Sequence, residues 1–111
     1  MVAKPPRYTI KNFDHFVRLL IGRWEDAVEM QSKWLSMDQE ERAFETEDWP
    51  VNNDIHQDLA DYVSEHDLTE DQKAQWARLN ELVAEYTETL REMGYGVILP
   101  KGPKRREREV A

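Results

Sequence analysis

From Phe13 onward the apolar residues recur in alternating steps of four and three: Phe13, Val17, Leu20, Trp24, Ala27 and Trp34, with Gln31 at the one place where the row is polar. Phe16, Ile21, Val28 and Leu35 widen the stripe. A repeat of this period lays one broad apolar face along a helix. It predicts a helix over residues 12–36, with Asn12 as the N-cap whose side chain accepts from an unpaired backbone N–H. A sharper pattern lies near the other end of the chain. Trp76, Leu79, Val83, Tyr86, Leu90 and Met93 step three-four-three-four-three without a miss, which makes a heptad seam. Thr69 with Gln72 forms a capping box before it, and Gly94 supplies the left-handed residue after it. This predicts a helix over residues 70–93.

Between these two the pattern is weaker. Ser36 with Gln39 reads as a capping box opening a helix over residues 37–47, whose apolar content is Met37, Ala43 and Phe44. Trp49-Pro50 ends it, because the residue before a proline is pushed out of the helical region. Val51-Asn52-Asn53 then reads as a loop, with Asn53 capping a third helix over residues 54–66 on which Ile55, Leu59, Tyr62 and Val63 share a face. Val97-Ile98-Leu99, before Pro100, forms a short extended run that either pairs with Tyr8-Thr9-Ile10 or lies against the helices. The expected fold is all-α: an antiparallel helical bundle of two long and two shorter helices, with a short extended segment near the C-terminus. Residues 1–100 form a single domain and 101–111 a basic, mobile tail.

Charge changes this picture more than composition does. The net charge of -8 is unevenly spread. From Asp38 to Asp71 thirteen acidic residues face Arg42 alone, whereas Lys4, Arg7 and Lys11 at one end, and Lys101, Lys104, Arg105, Arg106 and Arg108 at the other, are basic. Such a distribution bears on partners and long-range fields. Two acidic rows stand out. Glu81, Glu85, Glu88 and Glu92 lie about 200° around the fourth helix from its seam, on a solvated back face. Asp54, Asp58, Asp61 and Glu65 instead border the apolar face of the third helix. Like charges at these spacings cost a few tenths of a kcal/mol per pair, and this helix carries no Lys or Arg to offset them.

Candidate chemistry is thin. With no Cys in the chain there are no disulfides and no thiolate metal sites. His15, His56 and His66 are not spaced as metal ligands on one helix face, and no Glu-x-x-His or His-x-x-x-His occurs. Asp67-Leu68-Thr69-Glu70-Asp71 starts like a calcium loop, yet Gln72 stands where the glycine belongs and Arg78 where the glutamate belongs. No glycine-rich phosphate loop is present. No nucleophile is marked out with a base, and Ser36 is better used as a cap. The expectation is therefore a non-enzymatic protein without metal or cofactor. It docks a basic protein partner through Asp54, Asp58, Asp61 and Glu65, with Trp49 and Val51 as apolar anchors at the head of the row. The acidic surface could sit in a nucleic-acid-binding groove of that partner, in place of phosphate charge.

Two other readings stand beside it. One is a self-associating structural subunit: Trp24, Trp34 and Trp76 lie on the long-helix stripes, and two short helices cover them incompletely, so a homodimer is expected. The other is a nucleic-acid accessory role for the basic tail. The tail lacks aromatic residues for base stacking, and the acidic body repels the same polymer, so nucleic acid is disfavoured as a partner. No apolar run reaches the length of a membrane span, and residues 1–13 lack the pattern of a secretory signal. A cytoplasmic location without membrane contact is expected.

Overall fold

The computed structural model describes residues 12–101. All regular structure among them is helical: α1 (Phe13–Met30), a single 3-10 turn (Trp34–Ser36), α2 (Gln39–Thr46), α3 (Trp49–Glu65) and α4 (Glu70–Met93). Three helices make the body, because α2 buries no residue. The expected four-helix bundle is therefore not what forms.

The first helix ends earlier than its apolar row suggests. Ser32 and Lys33 donate their backbone N–H groups three residues back, to Glu29 and Met30, the tightened pattern common at helix ends. Ser32 and Ser36 hydroxyls also bond to carbonyls three residues back, Ser36 to Lys33 at 2.7 Å. Ser36 thus belongs to the turn and does not cap α2. Asp38 takes that role: it accepts from the Glu41 N–H at 2.8 Å, and the Glu41 carboxylate accepts from the Asp38 N–H at 2.8 Å. Gln31 lies past the end of α1, exposed, and not inside an apolar row.

The third helix begins five residues earlier than expected, at Trp49. Pro50 lies in its first turn, where the missing N–H would have no intrahelical partner anyway. The early start turns Trp49 inward, against Trp24 at 5.4 Å and Tyr95 at 4.9 Å. It also places Asn52 on the inner face, where its side-chain carbonyl accepts from Arg23 of α1 at 2.8 Å. The fourth helix is as predicted: Thr69 and Gln72 form the reciprocal capping box, and Gly94 ends the helix at φ 110°.

The direction of the long helices differs from expectation. Arg18 pairs with Asp71 and Glu25 with Arg78, so residue numbers rise together along α1 and α4, and these two helices run parallel. Phe13 meets Tyr62, and Trp24 meets Trp49, so α3 runs antiparallel to α1. The physical reason is the count. With α2 outside the body, α1, α3 and α4 form an up-down-up arrangement in which the first and last helices share a direction. The core is built from Phe13, Val17, Leu20 and Trp24 of α1, Ile55 and Leu59 of α3, and Leu79, Leu82 and Leu90 of α4. Thr87 is buried too, its hydroxyl satisfied by the Val83 carbonyl one turn back.

After Gly94 the chain turns back over α3 as an extended strap without strand pairing among the described residues. Tyr95 and Val97 fill the end of the core beside Trp34 and Trp49. Two side-chain amides one turn apart hold the strap. Asn53 donates to Gly96 O at 2.8 Å and accepts from Ile98 N–H at 3.0 Å. Gln57 accepts from Lys101 N–H at 2.8 Å and donates to Lys101 O at 3.2 Å. The Val97-Ile98-Leu99 run therefore lies against the helices; Tyr8-Thr9-Ile10, like the tail after Lys101, lies outside the described residues.

Candidate functional site

The early start of α3 divides the predicted docking residues. Trp49 is 4% exposed and belongs to the core, so it is no surface anchor. Val51 is half-buried against that core. Further along, Asp54, Asp61 and Glu65 are exposed and Asp58 is half-buried. At 1.5 Å rise per residue, successive carboxylates of the row are about 4.5 to 6 Å apart along the axis.

Electrostatics within the row are unfavourable. Burial raises the Asp58 carboxyl above the usual carboxylate range, and the neighbouring charges of Asp61 and Asp54 raise it further. Asp61 accepts from the Gln57 amide at 3.1 Å, the same amide that holds the backbone of Lys101. The end of the strap, where the basic tail begins, is thus anchored one side chain away from the acidic row. The α4 row differs. Its four glutamates are exposed as expected, and within it Glu81 lies 3.6 Å from Arg78 and Glu88 3.5 Å from Arg91.

The histidines go to three different places. His15 is exposed beside Phe16. His66, at the C-cap of α3, stacks on Tyr62 at 4.1 Å and donates from Nδ1 to the Tyr62 carbonyl. His56 is buried against Trp76, and burial pushes its pKa down to about 4, so its ring is neutral at ordinary pH. Among the described residues no cluster of three or more His, Cys, Asp or Glu is arranged to hold a metal ion. No described helix is long and apolar enough to cross a membrane.

A cleft of about 290 Å³ opens where α1 meets the start of α3, lined by Arg23, Asp26, Glu45, Asp48 and Tyr95 among others. Arg23 is held by Asn52. The Tyr95 phenol is raised above its ordinary range by burial and then by Glu45, so it stays protonated at neutral pH. Nothing in this cleft joins a nucleophile to a base. Two features escaped the sequence pattern: the amide clamp of Asn53 and Gln57, and the exposure of Phe44 and Leu35, at 73% and 91%. The sequence pattern reads Asn53 as a cap and Leu35 as part of a helix face, and α1 ends before reaching Leu35. Comparison with protein-family profiles, with curated proteins and with solved structures finds no match for this chain.

Proposed function

We propose that this is a non-enzymatic binding protein that docks a basic protein partner through the acidic edge of α3. The observation that carries the reading is Asp58, whose carboxyl is raised by burial and then by the neighbouring charges of Asp61 and Asp54, on a helix whose own residues include no Lys or Arg. Folding gains nothing from like charges set in this way. A cationic partner relieves them. Val51, half-buried at the head of the row, takes the role of apolar contact in place of Trp49. A partner whose basic groove ordinarily holds nucleic acid fits the same chemistry, with carboxylates taking the place of phosphates.

The test uses an oligolysine peptide as the basic probe and the full chain. Association driven by this edge weakens steeply with salt, since attraction between exposed charges is screened over about 8 Å at physiological ionic strength. Asp54→Asn, Asp58→Asn, Asp61→Asn and Glu65→Gln together should leave helix content unchanged and weaken binding of the probe by about tenfold or more, the equivalent of roughly 1.4 kcal/mol. Undiminished binding in that variant contradicts the reading. Homodimerisation is the second reading. Its original ground is reduced, because Trp24 and Trp34 are buried within one chain and Trp76 is half-buried. What favours it now is the exposure of Ile98 and Leu99, on the strap and not on α2, and sedimentation of the full chain at high micromolar concentration decides it.

A further inference from the structure

The α2 helix forms without a single fully buried residue; Arg42, Glu45 and Thr46 are half-buried. An isolated helix of this length is marginal in water, so local devices must account for it. The Asp38–Glu41 capping box satisfies its first turn, and Glu40 and Glu41 sit where the helix dipole favours negative charge. Its tie to the body is Arg42, which donates to the Trp34 carbonyl at 2.9 Å and lies over the Trp34 ring at 5.6 Å. Residues two apart on a helix are separated by about 200°. Fixing Arg42 inward therefore fixes Phe44 outward, and Phe44 is 73% exposed. Beside it runs a groove of about 610 Å³ whose apolar lining is Met37, Ala43 and Phe44 and whose remaining lining residues are Glu40, Glu41, Glu45 and Glu47. Leu35, 91% exposed, lies in the turn leading into α2.

We infer that α2 and its groove form a docking surface for a basic amphipathic segment of a partner protein, which sets a large apolar side chain against Phe44 and its Lys or Arg residues among the surrounding glutamates. The charge pattern selects this occupant. From Asp38 to Asp48 six carboxylates accompany Arg42 alone, and that guanidinium is already engaged by Trp34. A second copy docking the same face about a twofold axis would set these glutamates against themselves. A neutral apolar partner would desolvate them with nothing in exchange. A cation-flanked apolar residue satisfies both the ring and the carboxylates, and long-range attraction speeds its arrival. This surface shares no residue with the α3 row and does not depend on that reading.

The test uses the full chain and a synthetic peptide of roughly four helical turns, with Leu and Trp on one face and Lys on the other. A scrambled peptide of identical composition serves as the control. The amphipathic peptide should bind about tenfold more tightly than the scramble, and Phe44→Ser should erase that preference, a hot-spot loss typical of a central aromatic contact. Phe44→Ser should leave the melting temperature unchanged, since the ring is already in water. Amide shifts on titration should centre on residues 35–48, and the preference should persist in the variant with the α3 row neutralised. Equal affinity for the two peptides overturns the inference, as does full retention of the preference in Phe44→Ser. It is overturned equally by a dimer that Phe44→Ser converts to monomer, which makes a second copy the occupant. Deletion of residues 1–11 or 102–111 that newly opens the groove would assign it to the chain's own ends, and likewise overturns it.

Discussion

Gly22 and Gly94 make opposite demands on their backbone. Beyond the local helix backbone nothing lies within 4 Å of where a methyl on Gly22 would sit, inside α1, so Gly22→Ala should stabilise the fold by about 1 kcal/mol through helix propensity alone. Gly94 holds φ 110°, where a side chain is strained, so Gly94→Ala should destabilise it by about 1 kcal/mol. Urea midpoints of the two variants, moving in opposite directions, check both. His56 gives a pH dependence. Its folded pKa is about 4, below the ordinary 6.5, so the unfolded chain binds the proton first and stability falls as pH drops through 6.5 toward 4. Between pH 7 and pH 5 the loss should be roughly 2 kcal/mol, and it should largely vanish in His56→Leu. Asp58 has the opposite sign: its raised pKa means the ionised carboxylate opposes folding, so Asp58→Asn should gain a few tenths of a kcal/mol at neutral pH.

For the elements, the periodic pattern found what apolar residues mark and missed what polar residues do inside. The fourth helix was legible to the residue because its caps and seam are spelled in their usual types. The third was not. Trp49, Asn52, His56, Leu59 and Val63 step three-four-three-four, continuing the buried face up to the start at Trp49, but Asn52 and His56 read as polar and broke the row. Burial of Asn52 is licensed by Arg23 across the helix pair, a partner that spacing along the chain does not reveal. The strap is likewise held by amide side chains on the neighbouring helix. Asn53→Ala and Gln57→Ala should each cost about 1 kcal/mol, the usual net worth of such hydrogen bonds. The pair together should raise hydrogen exchange in residues 95–101 while α4 stays protected.

For the whole molecule, the direction of α1 relative to α4 depended on how many helices join the body, and composition could not decide whether α2 was one of them. The chain has no cysteine, which makes the parallel arrangement simple to check. Cysteines at positions 18 and 71 should be joined by a short bifunctional thiol cross-linker that replaces the reach of the Arg18 side chain to Asp71, whereas cysteines at 18 and 92 should not, because α4 carries residue 92 away from the start of α1. Charge, unlike topology, was legible from the outset. What the sequence left open was how each acidic row sits on the fold: Asp58 is half-buried, whereas Glu81, Glu85, Glu88 and Glu92 are all exposed.

The measurement that bears on function without intermediaries is the affinity of one oligolysine probe for two variants that remove equal charge. One carries Asn or Gln at positions 54, 58, 61 and 65; the other carries Gln at 81, 85, 88 and 92. Docking through α3 predicts that the first loses about tenfold or more, while the second loses no more than a few-fold, the scale of screened distant charge. Equal losses in the two would contradict it and reduce the α3 row to part of a general acidic field.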